Sequence, residues 1–209
     1  MYYLLESTKI TFKSGDKLNN LKKAKTKSSG FINNRHLYVG NIIKQIFKPE
    51  EYNYLCEVGA GEMNLAKILA ESYKRIDAYE IYPQAKSQID NLNIYGTFSK
   101  HVEMEKYDLL VSVCPYYYNY DFFDDRDSEV ETVNLLYDII NLCLEKNIDL
   151  FLILSDTEEV TRFVKRIYKD PKYKQLIYDA IDLYYLNFGG KEVSSSHNLI
   201  LKKNYQNLK

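Results

Sequence analysis

A short glycine-containing segment, Glu57-Val58-Gly59-Ala60-Gly61, constrains the fold more than any other part of the chain. The apolar residues Tyr54-Leu55-Cys56 precede it, and a helical pattern follows from Leu65. Glycine has no Cβ and tolerates positive φ, so a strand that turns through two glycines into a helix lets the backbone approach a ligand closely. The sequence therefore predicts a strand, a ligand-binding loop and a helix, in that order.

Length and composition limit the class of protein. The chain has 209 residues, which suits one domain with a sizeable core. Its 28 basic and 29 acidic side chains give a net charge of -1, so no global field attracts a polyanion. The three cysteines and three histidines are scattered, which predicts neither a disulfide framework nor a structural metal site. No apolar run reaches the roughly 18 residues of a membrane span, and the N-terminus lacks the features of a signal peptide, so we expect a cytoplasmic protein without membrane attachment.

Strand and helix patterns alternate along the chain. A first helix is predicted over residues 34–47, and apolar runs predict five strands, over residues 54–58, 76–80, 94–98, 107–113 and 148–154. Helical spacing after the fourth strand predicts a buried stripe at Val130, Val133, Tyr137, Ile140 and Leu144. The helix after the fifth strand has its predicted stripe at Val160, Phe163, Val164 and Ile167.

The pattern changes after Pro171. Residues 181–188 and 197–201 are strand-like with no helix between them, so we expect them to pair as an antiparallel hairpin. Five alternating strands and a terminal hairpin resemble the fold of class I S-adenosylmethionine-dependent methyltransferases. The resemblance implies an α/β fold, a three-layer Rossmann-like sandwich with a mostly parallel seven-stranded sheet and a C-terminal antiparallel hairpin. It covers residues 34–203, with a lysine-rich extension at 1–33 and a tail at 204–209.

The glycine segment is similar to the first motif of that family, E/D-x-G-x-G-x-G. In this motif the acid orients S-adenosylmethionine and the glycine backbone passes against its methionine portion. Met63 stands where the third glycine is usual, which leaves open whether the loop is shaped for binding. The resemblance implies cofactor contacts at Glu57, Gly59, Ala60, Gly61, Glu80, Ile81 and Ser112.

Glu80 ends the second predicted strand, about 20 residues beyond the loop, where related folds place an acid that binds the ribose hydroxyls. A carboxylate suits this role because it presents two acceptor oxygens to two neighbouring hydroxyls. A surface acid at a strand end is the other interpretation of Glu80 alone, and its spacing from Gly59 and Gly61 favours the ribose role. Ile81 would then border the adenosine.

The fourth predicted strand leads into a candidate substrate loop. Its sequence, residues 112–117, resembles the (D/N/S)-P-P-(Y/F/W) motif of amino methyltransferases, which act on planar nitrogens. The resemblance implies substrate positioning by Cys114, Pro115, Tyr116 and Tyr117. Cysteine is a poor hydrogen-bond acceptor, so backbone carbonyls would hold the amine. Cys114 as a methyltransferase nucleophile is disfavoured, because that chemistry uses proline before cysteine and because no basic residue lies between Lys106 and Arg126 to activate the thiolate.

Two segments predict contact with nucleic acid. Residues 116–123 form a tyrosine-rich loop with six aromatic side chains, and base stacking on such rings contributes about 1 to 3 kcal/mol per base. Core packing and a tyrosine-rich composition explain the same cluster equally well. Residues 9–27 form a lysine-rich arm that suits phosphate contact or, alternatively, a solvated tail.

The leading hypothesis is an S-adenosylmethionine-dependent methyltransferase that acts on a nitrogen of a planar substrate, either a nucleobase in RNA or DNA or a small molecule. The alternative is a non-catalytic protein of the same fold that recognises nucleic acid or a protein partner. A nicotinamide-dependent oxidoreductase is disfavoured by the terminal hairpin and by Asn64, since the dinucleotide motif has glycine or alanine at that position.

Overall fold

The computed structural model describes residues 29–80, 89–96, 98, 103–113, 115, 125–154, 158–174, 176–179, 184–186, 192–194 and 197–201. In these ranges the α-helices are α1 (Ser29–Ile46), α2 (Asn64–Ala70), α3 (Asp125–Lys146) and α4 (Glu158–Lys169), and 3₁₀ turns cover Met104–Lys106 and Pro171–Tyr173. The strands are β1 (Tyr54–Val58), β2 (Arg75–Tyr79), β3 (Leu92–Tyr95), β4 (Leu109–Val113), β5 (Asp149–Leu154), β6 (Ile177–Asp179), β7 (Tyr184–Leu186), β8 (Glu192–Ser194) and β9 (His197–Leu201).

One sheet of seven strands organises the fold, in the order β3-β2-β1-β4-β5-β9-β6. The first five strands in the chain pair in parallel, and β9 runs antiparallel to both β5 and β6. The chain leaves β1 toward one neighbour, β2, and later returns to β4 on the other side of β1, so the strand order reverses between β1 and β4. The predicted α/β fold with a mostly parallel sheet is confirmed.

Helices cover the sheet on two faces, which gives the three-layer sandwich. On one face α1 and α2 bury Ile43, Leu65 and Leu69 against the strands, together with Phe47, the residue that follows α1. On the other face α3 and α4 bury residues such as Ile140 and Phe163. Each of these large apolar side chains contributes roughly 1.5 to 3 kcal/mol when it is fully removed from water.

Burial follows the sequence pattern closely in some elements and not in others. All six residues of β5 are buried, as expected of an apolar strand covered on both faces. The stripe predicted for α4 is confirmed at all four positions. The stripe predicted for α3 is wrong at Val130, which is 47% exposed, whereas Leu136 and Ile139 are fully buried. The other four predicted residues do pack into this core, Ile140 fully and Val133, Tyr137 and Leu144 in part, so the buried face is rotated toward Leu136 and Ile139.

The C-terminal strands pair differently from the prediction. His197–Leu201 inserts between β5 and β6, and Tyr184–Leu186 pairs instead with Glu192–Ser194 in a separate two-stranded ribbon. The reason is loop length: five residues separate β7 from β8, within the usual range for a hairpin, whereas ten separate β7 from β9.

The first helix begins at Ser29, inside the stretch predicted as an extension, and residues 1–28 lie outside the described part of the chain. The third strand ends at Tyr95 rather than at residue 98. No helix among the described residues combines the length and apolar character needed to cross a membrane. The described residues also contain no group of three or more His, Cys, Asp or Glu side chains arranged to hold a metal ion.

Candidate cofactor-binding site

The glycine loop connects the end of β1 to the start of α2 and is fixed to the neighbouring strand. The backbone N–H groups of Gly59 and Ala60 both donate to the carbonyl oxygen of Tyr79, at 2.9 and 3.2 Å. The loop therefore lies at the carboxyl ends of β1 and β2. Ligands of open parallel sheets bind at this edge, next to the point where the strand order reverses.

Gly59 brings the loop against the segment that follows β4. Its φ is +73°, a conformation that side chains rarely adopt, and a Cβ added there would lie 3.3 Å from the Cβ of Pro115. Pro115 is itself buried. Two predicted site residues from distant parts of the sequence thus meet across the crevice between β1 and β4.

Gly61 faces open space as far as the described residues extend. Its φ is +53°, and a Cβ added to it would have no atom of the described chain within 4 Å. Its backbone N–H donates to Oε2 of Glu80 at 2.8 Å. The predicted ribose-binding acid is therefore at the loop, where it also holds the loop backbone in place.

Met63 explains how the loop keeps its shape without a third glycine. Its φ is +62°, so the residue adopts the left-handed conformation that glycine usually provides. Its side chain is fully buried in the core beneath α1 and α2. Its N–H donates to the carbonyl of Ala60 at 2.9 Å, which closes the turn before α2. Core burial offsets the roughly 1 to 2 kcal/mol that a left-handed conformation costs a residue with a Cβ.

Glu57 is a buried carboxyl group beside the loop. It is 3% exposed, and the backbone N–H of Ala66 donates to its carboxylate. Its Oε2 atom has no hydrogen-bond partner within the described residues. Burial raises the pKa of Glu57 to about 8; the negative charge of Glu80 adds to this rise, and the Ala66 hydrogen bond opposes it. A buried acceptor without a partner is costly, and a cationic ligand group would satisfy it.

Of the remaining predicted site residues, the structure describes Ala60 and Ser112 but not the other four. The Ser112 hydroxyl is buried and donates to the carbonyl of Val58 at 2.6 Å, so it joins the ends of β1 and β4 beneath the crevice. Ala60 packs its side chain into the core, which leaves its backbone as the ligand-facing part. Ile81, Cys114, Tyr116 and Tyr117 lie outside the described residues.

Two backbone groups at the site escaped the sequence analysis. The carbonyl of Tyr79 accepts both loop N–H groups, and the N–H of Ala66 holds the Glu57 carboxylate. No side-chain pattern could have revealed them, because every residue type except proline supplies the same backbone groups.

No protein-family model matches the sequence, and no curated protein matches it. Solved structures do resemble its fold. An rRNA methylase from Streptococcus thermophilus has a TM-score of 0.52 and 11% sequence identity, with 79% of this chain and 94% of that chain covered. The methyltransferase domain of bacterial CtHen1 has a TM-score of 0.53 and 11% identity, with 81% of this chain and 99% of that one covered. The chain therefore has the fold of the class I S-adenosylmethionine-dependent methyltransferases.

S-Adenosylmethionine fits the residues at this site. The open space at Gly61 admits a ligand against the backbone, and the carboxylate of Glu80 lies beside that space. The unsatisfied Oε2 of Glu57 suits a positively charged group, such as an ammonium. These three observations are independent of the structural comparisons.

Proposed function

We propose that this chain is an S-adenosylmethionine-dependent methyltransferase that transfers a methyl group to a nitrogen of a planar substrate. One observation carries the proposal: three features suited to this cofactor lie together at the carboxyl ends of β1 and β2. They are the unpartnered carboxyl oxygen of Glu57, the open backbone at Gly61 and the carboxylate of Glu80. Gly59, Ala60, Ile81 and Ser112 complete the proposed cofactor site.

Each residue of the site has a separate part in binding. Glu80 keeps the loop in place through Gly61 and, as a carboxylate, has further lone pairs to accept ribose hydroxyls. Glu57 balances the positive charge of the amino-acid portion. Gly61 leaves room for the ligand because it has no side chain.

Catalysis needs little more from the protein than orientation. S-Adenosylmethionine supplies an activated methyl group on a sulfonium, so an amine whose lone pair is held in line requires no dedicated general base. Cys114, Pro115, Tyr116 and Tyr117 would hold the substrate through backbone carbonyls and ring stacking. The contact between Gly59 and Pro115 supports this arrangement, since it sets the start of the substrate loop directly against the cofactor loop.

A nucleobase in RNA or DNA is the substrate class we favour, with a planar small molecule as the second. The structural neighbour from Streptococcus thermophilus is described as an rRNA methylase, which supports RNA. The tyrosine-rich loop would stack on the base, and the lysine-rich arm would contact phosphates.

Cofactor binding is tested first. Calorimetric titration with S-adenosylmethionine should show binding to the wild type, and Glu80→Gln should weaken it at least about tenfold, because a charge-assisted hydrogen bond is lost. Glutamine retains an acceptor for the Gly61 N–H, so the loop should keep its place. Glu71→Gln, at an exposed acid after α2, is the matched control and should bind as the wild type does. Equal affinities in all three proteins would contradict the assigned site.

Methyl transfer is tested separately. Protein and S-adenosylmethionine with a labelled methyl group should be incubated with fractionated RNA, DNA, protein and metabolites, and the label should enter a nucleic-acid fraction. Binding of the cofactor without transfer to any fraction would favour the non-catalytic alternative. That alternative is motivated by the hydrogen bond from Gly61 to Glu80. One oxygen of the proposed ribose-binding carboxylate is already occupied in holding the loop, which leaves fewer lone pairs for a ligand.

A further inference from the structure

A second polar cluster lies at the opposite edge of the sheet from the glycine loop. Its members are at the amino ends of strands: Tyr54 begins β1, Arg75 begins β2, and Tyr107 lies between the 3₁₀ turn and β4. A strand of five residues is about 13 Å long, which separates this cluster from the loop that follows Val58 and Tyr79. The two sites are therefore distinct.

Asp77 organises the cluster from inside the protein. Its side chain is fully buried, and its carboxylate receives Nε of Arg75 at 2.8 Å, the hydroxyl of Tyr107 at 2.7 Å and Nδ2 of Asn93 at 2.8 Å. The Nζ of Lys106 lies 3.1 Å from the same carboxylate. Burial alone would raise the pKa of Asp77, but these hydrogen bonds together lower it below its ordinary value. One buried negative charge thus fixes two cations in place.

The two cations remain accessible. The side chains of Arg75 and Lys106 are 40% and 38% exposed, and they carry one positive charge more than Asp77 neutralises. Nε and Nη2 of Arg75 both donate to Asp77, and within the described residues Nη1 has no hydrogen-bond partner. A shallow cavity of about 100 Å³ is lined by these two side chains together with Tyr54 and Tyr107.

The neighbours of the cavity are consistent with an anionic ligand. The ammonium of Lys74 lies 5.5 Å above the ring of Tyr54 and adds a further positive charge. Asp108, which follows Tyr107 in the chain, uses Oδ2 to accept the backbone N–H groups of Asn53 and Tyr54, at 2.8 and 3.0 Å. Even with Asp108 included, the cluster has one net positive charge.

We propose that this cavity is a binding site for a phosphate group, and that its natural source is the backbone of a single-stranded nucleic acid. A guanidinium held by a buried carboxylate presents its remaining N–H groups in a fixed fork, which matches phosphate oxygens. The ring of Tyr95 extends the same surface: its hydroxyl lies 3.4 Å from Nη2 of Arg75, and the side chain is 37% exposed. Aromatic rings beside cations are typical of single-strand binding. Inorganic phosphate shares this chemistry and is the other source to distinguish.

The test uses the full-length protein and two probes. Fluorescence anisotropy with labelled decauridylate measures nucleic-acid binding at low ionic strength, and ³¹P NMR measures inorganic phosphate. Lys106→Met keeps the apolar stem of the side chain and leaves Asp77 with three donors. Lys146→Met is the matched control, because Lys146 is similarly exposed at 41% and is also paired with a carboxylate, that of Glu105. Lys74→Met is a second test variant, since exposed Lys74 does not touch Asp77 and its loss leaves the buried network intact.

We expect Lys106→Met and Lys74→Met each to weaken decauridylate binding about three- to tenfold, as for a partly exposed charge contact. The slope of log affinity against log salt should fall by about 0.7 for each lost phosphate contact. Lys146→Met should change neither. Lys106-dependent binding of inorganic phosphate without binding of the oligonucleotide would assign the site to free phosphate and overturn the nucleic-acid part. Equal effects of Lys106→Met, Lys74→Met and Lys146→Met on both probes would overturn the site itself.

Discussion

The carboxyl group of Glu57 makes a quantitative prediction about stability and pH. Its pKa is about 8 in the folded chain, because burial penalises the charged form, against an ordinary value of 4.5. Between these two pH values the folded state holds a proton that the unfolded state has released. The free energy of unfolding therefore falls as pH rises from about 4.5 to about 8, and the loss is complete above that range.

The size of the effect follows from the same two values. Each unit of difference in pKa corresponds to about 1.4 kcal/mol, so the loss of stability across the range is at most about 5 kcal/mol. Glu57→Gln removes the titrating group and keeps the shape of the side chain. We expect the variant to be more stable than the wild type above about pH 8, with the difference shrinking steadily toward about pH 4.5.

Urea unfolding at a series of pH values measures this difference directly. Other titrating groups affect the wild type and the variant alike, so the difference between the two proteins isolates Glu57. Glu71→Gln, at an exposed position, should follow the wild-type profile throughout. A difference between wild type and Glu57→Gln that stays constant with pH would refute the assignment of a buried, protonated carboxyl group.

The cofactor titration gives a second measurement on the same residue. If a cationic group of S-adenosylmethionine contacts Glu57, the bound state favours the charged carboxylate. Affinity should then increase as pH rises toward about 8, and binding should release a proton. Glu57→Gln should bind more weakly and lose this pH dependence. A wild-type affinity that is flat over this range would separate Glu57 from the cofactor while leaving the stability prediction intact.

Four further predictions concern the loop and the second cluster. Gly59→Ala should destabilise the fold by about 1 to 3 kcal/mol in urea unfolding, because the backbone at this position is left-handed and the added Cβ would press on Pro115. Gly61→Ala should destabilise the fold by only about 1 kcal/mol, since its Cβ meets no described atom. It should nevertheless weaken cofactor binding, because the added methyl group occupies space proposed for the ligand. Met63→Gly should be less stable than the wild type by about 1 to 4 kcal/mol. Glycine removes the strain of the left-handed backbone, but the loss of a fully buried methionine side chain outweighs that gain. A stabilised variant would show that the side chain does not hold the loop. Asp77→Asn should destabilise the fold by about 1 to 3 kcal/mol near neutral pH, because two partly exposed cations lose their charged partner. The folded-state pKa of Asp77 lies below its ordinary value of 3.8, so this difference should begin to shrink below about pH 4 and should vanish only at the lower pH where the folded wild-type carboxyl is also protonated.

Elements with a strong local apolar pattern were the ones the sequence predicted well. The strands β1 and β5 differ from their predicted bounds by at most one residue, and the buried face of α4 matches its predicted stripe. In these elements burial follows directly from residue type and spacing, so local pattern is sufficient.

Pairing between distant segments was predicted less well. Strand β9 lies between β5 and β6 in the sheet, and the local pattern of residues 197–201 does not specify these partners. The stripe of α3 was ambiguous because two sets of apolar residues share the helix, and only tertiary contacts choose between them. The sequence pattern can therefore determine that a segment is a strand or a helix, whereas the segments it packs against depend on the assembled fold.

At the candidate site, the sequence predicted the acid and glycine positions but not their geometry. The two glycines do adopt positive φ, and Glu80 does lie at the loop. The unpartnered oxygen of Glu57 and the contact between Gly59 and Pro115 are consequences of packing. The Asp77 cluster was missed because three of its four donor residues are distant in sequence: Asn93 lies in β3, and Lys106 and Tyr107 lie at the 3₁₀ turn before β4.

Met63 changes what determines the shape of the loop. In a loop with a third glycine, the backbone can adopt the left-handed turn whatever lies around it. Here the left-handed turn is held by a methionine whose side chain is buried in the same core cluster as Ile43 of α1 and Leu69 of α2. The affinity of the site for its ligand is consequently linked to the packing of those helices, and substitutions in α1 that never approach the ligand should still alter binding.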